Sequence, residues 1–182
     1  DGLRVDPDTV LWLEGDGGPW TMRGALFLAR REGALADLWY AEVRPGGERT
    51  VLDVAWWTNL TGTASAEETQ LLAVGPAFAY ATRVGERYDA VVLVDPRGEP
   101  AALTADWPLR ARLMNRITNL QETGRSRGFG IRRYQLPERP ATLRLAARDG
   151  RLRARVGPER LVLDPARPEP VAGAGQVELQ PQ

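Results

Sequence analysis

Ala25, Ala29, Arg31, Gly33 and Asp37 recur 52 positions later as Ala77, Ala81, Arg83, Gly85 and Asp89. After one deletion the match continues at a shift of 51, pairing Pro45, Gly47, Glu48 and Leu52 with Pro96, Gly98, Glu99 and Leu103. Self-similarity at a fixed period is the signature of a repeated supersecondary unit, and such a unit cannot bury its apolar face alone. The second copy shows what the unit is. Ala77 to Arg83 and Tyr88 to Val94 are β-rich runs divided by a Gly turn, and Asp95-Pro96-Arg97-Gly98 leads into Ala101 to Thr104. That pattern predicts three antiparallel strands with two tight turns. The repeat therefore spans 24–53 and 76–104.

The first copy extends the same logic. Strands are expected at Thr9 to Leu13, Trp20 to Arg30, Leu35 to Arg44 and Thr50 to Trp57, forming a meander of four punctuated by the turn-rich Glu14 to Pro19, Glu32-Gly33 and Pro45-Gly46-Gly47. Trp56 and Trp57 are adjacent and must point to opposite faces of a strand, so at most one enters a given core. The exposed ring of such a pair could stack on a sugar or base, while core packing explains the other. Ser65-Ala-Glu-Glu68 has the form of a capping box and predicts a short helical turn, stopped by Gly75-Pro76. Gln70 to Val74 reads equally as a strand opening the second copy.

At this point a family resemblance enters. Asn59-Leu60-Thr61, the Glu67-Glu68 pair, Ala77 to Gly85, Ala90 to Gly98 and Leu103-Thr104 together resemble one blade of a TolB-type β-propeller, and Ala25 to Leu52 resembles most of the preceding blade. In that family a Leu-Thr pair ends the outer strand and a Gly turn divides the two middle strands. The chain departs from the pattern at Val74-Gly75-Pro76, where the family usually has Ser-Pro-Asp-Gly. Closed propellers take about four to eight blades, more than two or three copies supply. The expected fold class is mainly β: an antiparallel meander, sandwich-like, barrel-like or an incomplete propeller, from a duplicated strand unit with one α-helix near 106–123.

That helix follows from Asp106 as a cap, Pro108 in the first turn, an apolar stripe of Leu109, Leu113, Ile117 and Leu120, and Gly124 at the end. Further strands are expected at Phe129 to Leu136, Ala141 to Arg148, Arg151 to Val156 and Arg160 to Leu163. Asp149-Gly150 between two of them is a two-residue hairpin signal. Arg144, Arg148, Arg151, Arg153 and Arg155 alternate with apolar or small residues, so one face of this hairpin is almost purely guanidinium. The domain reading is one β-rich domain over 1–163, with helix and Arg-rich hairpin in 106–163, followed by an extended tail at 164–182 rich in Pro, Ala and Gly.

Composition narrows the chemistry. The chain has no Cys, His or Lys. Thiolate nucleophiles, imidazole bases, Schiff-base lysines and the usual zinc and haem ligands are therefore missing, and no cofactor or metal is expected. Asp53, Asp89 and Asp95 near strand ends are the carboxylates a hydrolase could use, yet Asp95-Pro96-Arg97-Gly98 is ordinary turn chemistry. The expectation is a protein with no catalytic residues. The chain opens Asp-Gly-Leu-Arg without Met, which suggests a removed upstream segment and favours an extracytoplasmic placement, secreted or tethered to a membrane complex.

Charge is unevenly placed. Residues 1–105 carry 9 Arg against 16 acids, whereas 106–182 carry 15 Arg against 8, and 13 Arg against 3 acids fall within 110–155. Such asymmetry implies an acidic partner for the second half or pairing between the halves. The sharpest local motif is Glu122-Thr-Gly-Arg-Ser-Arg-Gly-Phe-Gly130. Its Arg127-Gly-Phe-Gly130 fits the start of the RNP1 element of RNA-recognition motifs, with Val91 to Val94 in the place of RNP2. Ile131 stands where a second aromatic belongs, and Arg132 falls on a core-facing position, where an unpaired charge is costly. Arg125, Arg127, Phe129, Arg132, Arg133 and Tyr134 remain a basic and aromatic cluster suited to anions. The expected function is a non-catalytic interaction or assembly module, such as the soluble part of an envelope protein or accessory subunit, that turns its Arg-rich half toward an acidic protein or other polyanion. The alternative is nucleic-acid binding through the 125–134 cluster.

Overall fold

Antiparallel strands make up nearly all regular structure among the residues that a computed structural model of the chain describes, namely 2–13, 24–45, 52–95, 130–136, 139–156, 159–163 and 171–172. Where the sequence reading has one domain over 1–163, these residues fall into two compact units. The described part of the first lies within Asp1–Ala64, and that of the second within Ser65–Trp107 and Gly128–Gln182. The expected helix at 106–123, the Ala101 to Thr104 strand and the Glu14 to Pro19 turn lie outside the described residues.

The first unit is one sheet. Its strands are β1 (Arg4–Val5), β2 (Leu11–Leu13), β3 (Gly24–Arg30), β4 (Asp37–Pro45) and β5 (Leu52–Asn59), with order β1-β3-β4-β5 and β2 also on β3. The meander expected from the sequence is present. The edge next to β3 is interrupted by a 3-10 turn, Pro7–Thr9, in which the Asp6 side chain accepts from the Asp8 amide. Thr9 repairs the break. Its hydroxyl accepts from the Leu28 amide at 2.9 Å and donates to the Asp6 carbonyl at 2.8 Å, while the Asp6 amide donates to the Leu28 carbonyl at 2.9 Å. No backbone group of Leu28 is left wanting, as buried amide groups require.

Strand alternation puts Phe27, Ala29, Trp39 and Ala41 in one apolar cluster, against which Leu3 and Val10 pack. Leu26, Leu28, Leu38 and Tyr40 on the other face are buried too. Gly24 is dictated by this packing. A Cβ there would sit 2.2 Å from the Ala41 carbonyl oxygen and 2.8 Å from the Tyr40 ring. Trp57 is 58% exposed and belongs to a row across the sheet, Trp12–Ala25–Ala41–Trp57, whose far end, Trp12, is equally exposed.

The second unit contains two sheets of four strands each. One is the meander β6 (Glu67–Val74), β7 (Ala77–Val84), β8 (Arg87–Asp95) and β9 (Gly130–Gln135). The other is β10 (Leu143–Arg148), β11 (Arg151–Val156), β12 (Glu159–Leu163) and β13 (Val171–Ala172). β13 lies within the stretch read as an extended tail and pairs with β12 through Leu161 and Val162. The two-residue turns Gly75-Pro76 and Gly85-Glu86 both start on a left-handed glycine, φ 58 and 61, the conformation that glycine adopts without steric cost.

The capping-box expectation at Ser65 to Glu68 is corrected. Glu67 and Glu68 belong to β6; Glu67 accepts a hydrogen bond from the Arg83 guanidinium on β7, which raises the Arg83 pKa above its ordinary value, and Glu68 is buried. The alternative, a strand opening the second copy, is what forms. A bulge interrupts it between Thr69 and Leu72, with Gln70 at φ 56. The bulge aims Gln70 at the neighbouring sheet. Its amide nitrogen donates to the Leu143 carbonyl at 2.9 Å and its amide oxygen accepts from the Leu145 amide at 2.7 Å. A side chain thus does for β10 what a strand neighbour would do. Below it the sheets share one core, in which Ala79, Val91, Leu93 and Tyr134 meet Leu143, Leu145, Leu152 and Ala154.

Two substitutions test these contacts. Gly24→Ala is expected to cost about 3 kcal/mol, the upper end of ordinary overpacking, because backbone stands in the way. Gln70→Ala strands one amide and one carbonyl of β10 and should cost about 2 kcal/mol. Urea midpoints at unchanged slope measure both losses. Hydrogen exchange at the Leu145 amide should quicken in the Gln70 variant and stay slow in the Gly24 variant.

Candidate functional site

The β10–β11 hairpin owes its geometry to its turn. Asp149 and Gly150 hold φ 54 and 69, the pair of left-handed residues a type I′ turn needs, and the right-handed twist of the flanking strands follows. With a two-residue turn the register is settled: Arg144 faces Arg155, Ala146 faces Arg153 and Arg148 faces Arg151. Alternation does the rest. Leu143, Leu145, Leu152 and Ala154 enter the core, and Arg144, Arg148, Arg151, Arg153 and Arg155 are exposed on the opposite face.

Strand geometry turns this list into a grid. Every second residue of a strand repeats at about 6.5–7 Å, and cross-strand neighbours stand about 4.5–5.5 Å apart. In backbone register Arg160 of β12 is the Cα partner of Arg155. Arg148 has one acidic neighbour, Asp149, at 3.7 Å, with both side chains about three-quarters exposed. Such a pair contributes little. Among the described residues no carboxylate lies within ion-pairing distance of Arg144, Arg153 or Arg155.

The cluster read from the sequence at 125–134 meets a different fate. Arg125, Arg127 and Phe129 lie outside the described residues. Arg132 is the backbone partner of Leu93. Arg133 and Tyr134 are chain neighbours on opposite faces, so they do not share a surface. Tyr134 is fully buried among Val91, Leu93 and Leu136 and cannot stack on a ligand. Arg133 donates to the Asp89 carboxylate at 2.7 Å. Internal pairing between the acidic and basic halves, one of the two explanations of the charge asymmetry, accounts for this arginine.

Asp89 is a collecting point. Besides Arg133, Gln135 donates to it at 2.9 Å and Arg139 lies at 3.2 Å, while its carbonyl accepts from the Leu136 amide at 2.8 Å. Asp37 gathers its surroundings in the same manner. It accepts from the Asn59 side chain at 2.6 Å, from the Thr63 amide at 3.1 Å and from the Thr61 hydroxyl at 3.4 Å, and Thr61 in turn accepts from the Leu38 amide at 3.0 Å. In each unit an aspartate of the third meander strand thereby secures the chain leaving the fourth. A carboxylate whose oxygens are so engaged serves as a structural anchor. Among the described residues no group of three acidic side chains is placed to hold a metal ion.

The alternating arginines of the hairpin are legible in the sequence beside the motif-like spacing of 125–134. The signal that identifies them is the conjunction of period-two alternation with an Asp-Gly turn, which fixes both register and face. No protein-family model matches the chain, and neither does any curated protein or solved structure.

Asp89→Asn keeps the shape but removes the charge that two guanidinium groups surround. It is expected to cost about 2 kcal/mol, less than a fully buried pair because Arg139 is largely exposed. The urea midpoint reads this directly. The paired change Asp89→Asn with Arg133→Gln should restore part of the loss, the sign of a direct coupling in a double-mutant cycle.

Proposed function

We propose that the protein is a non-catalytic interaction module that holds an acidic partner on the arginine face of the β10–β11 hairpin. One observation carries the reading: Arg144 opposite Arg155 and Arg148 opposite Arg151, all on an exposed face. Like charges directly across an antiparallel pair destabilise it. The apolar residues that bury the hairpin are on its other side. A face costly to the free protein is accounted for when an anion neutralises it.

The repeat belongs to the same proposal. Two four-stranded meanders, a left-handed glycine at 33 and at 85 (φ 72 and 61), and the anchoring roles of Asp37 and Asp89 support a duplicated unit of the TolB-type blade kind. On that reading the repeated sheets are scaffold and the hairpin is the working surface. Nucleic-acid binding through 125–134 is not favoured: it has lost Tyr134 to the core and Arg133 to Asp89.

The test is binding of fluorescent polyanions followed by anisotropy at physiological salt. The triple variant Arg144→Gln, Arg153→Gln, Arg155→Gln should weaken binding at least tenfold. Its melting temperature should equal or exceed that of the parent, since relieving the cross-strand repulsion stabilises the sheet by about 0.2–1 kcal/mol. Arg133→Gln should do the reverse, lowering the melting temperature and leaving binding intact. Equal binding by the triple variant and the parent would overturn the assignment.

A further inference from the structure

An aspartate followed by glycine leaves the backbone open to its own side chain, because the glycine nitrogen is not shielded by a neighbouring Cβ. The pair occurs three times in the sequence, beginning at Asp1, Asp16 and Asp149, and the last lies wholly among the described residues. Asp149 and Gly150 form the turn of the β10–β11 hairpin. The Asp149 side chain is 77% exposed, and its contact with the equally exposed Arg148 is long, at 3.7 Å, and weak. A Cβ on Gly150 would meet nothing within 4 Å, and the Gly150 amide has no hydrogen-bond acceptor among the described residues. Both reacting groups are open to solvent.

The chemistry needs only water. The Gly150 nitrogen bonds to the Asp149 Cγ, and the carboxyl hydroxyl leaves with the amide proton as water. A second water then opens the resulting cyclic imide at either carbonyl. Breaking the new bond between the nitrogen and Cγ restores aspartate. Breaking the bond between the nitrogen and the Asp149 backbone carbonyl carbon instead leaves the chain running through Cβ and Cγ, with a free α-carboxylate. That product is isoaspartate.

Ring closure requires Asp149 to leave its left-handed well, φ 54, so it proceeds from an opened turn. The tip of the hairpin meets that need. Residues 146–151 are all exposed, and the hairpin residues nearest the turn that enter the core are Leu145 and Leu152. Segments with few apolar contacts and solvent-exposed backbone hydrogen bonds lie at the low end of local opening free energies.

We propose that Asp149 is a site of isoaspartate formation and that its conversion dismantles the outer part of the arginine face. Isoaspartate adds one atom to the main chain of a turn whose register depends on two residues at positive φ. The pairing of Arg148 with Arg151 and of Ala146 with Arg153 is lost, while Leu145, bonded to Gln70, stays docked. The effect on binding rests on the interaction reading above; the modification itself does not.

The experiment holds the intact chain at neutral pH and physiological temperature for several weeks. Isoaspartate at 149 is quantified by peptide mapping and by enzymatic methylation of the new α-carboxylate. Conversion in the folded chain is expected at no less than a tenth of the rate in the same chain unfolded in urea. In the converted fraction hydrogen exchange at the Arg153 amide should quicken at least tenfold, exchange at the Leu145 amide should stay slow, and affinity for fluorescent dextran sulfate should fall at least threefold. Asp149→Glu, whose longer side chain closes a ring far more slowly, should show none of these changes over the same period. Persistence of Asp149 in the folded chain while the unfolded chain converts would overturn the proposal. A converted fraction that exchanges and binds as the parent does would overturn it as well. Conversion with quickened exchange in a chain that binds no polyanion would remove the interaction reading alone and leave the modification site standing.

Discussion

A two-residue turn fixes which side of a strand faces the core, and in this protein the surface chemistry depends on that constraint. Asp149 and Gly150 both adopt left-handed backbone, and a one-residue slip would carry five arginines into the position now held by Leu143, Leu145, Leu152 and Ala154. Leu152 is fully buried, and burying a leucine is worth about 1.5–3 kcal/mol. Burying an unpaired guanidinium in its place costs several times that. The register is therefore held from both sides at once. The arginine face is the outward half of the same pattern that makes the core.

Other parts of the fold keep the sheets in place around that surface. Gln70 lends its side-chain amide to the free edge of β10, so the hairpin is docked by hydrogen bonds as well as by apolar contact. The two anchoring aspartates act differently. Asp37 organises a loop through hydroxyl and amide donors, whereas Asp89 uses charge and consumes arginines that would otherwise add to the basic surface. Among the described residues of the basic half, Arg133 and Arg139 serve the fold, whereas Arg144, Arg148, Arg151, Arg153 and Arg155 face outward.

The strands and the Asp-Gly hairpin were legible because each rests on a local signal: alternation for the strands, a pair of left-handed residues for the turn. β11 begins at Arg151 and ends at Val156 as its alternation implies. The helical turn at Ser65 was misread because a capping box is a local preference, and cross-strand pairing of Glu67 with Arg83 outweighs it. The bulge at Gln70 could not be read at all, since a non-glycine residue at positive φ leaves no compositional trace. The site was legible only in part. Arg133 and Tyr134 looked like neighbours on one surface, but a strand sends consecutive residues to opposite faces, and this sheet is buried on both. Phe78, Tyr80, Val92 and Ile131 on one side are as deeply buried as Leu93 and Tyr134 on the other. Pairing with Asp89, 44 residues away, was likewise invisible to local pattern.

The most direct check on the account is arginine-specific chemical modification read by mass spectrometry, with and without saturating dextran sulfate. In the free protein Arg144, Arg153 and Arg155 should react readily and Arg133 slowly. Added polymer should protect the hairpin arginines and leave the remaining sites unchanged. Protection confined to Arg125 and Arg127, with the hairpin still reactive, would contradict it.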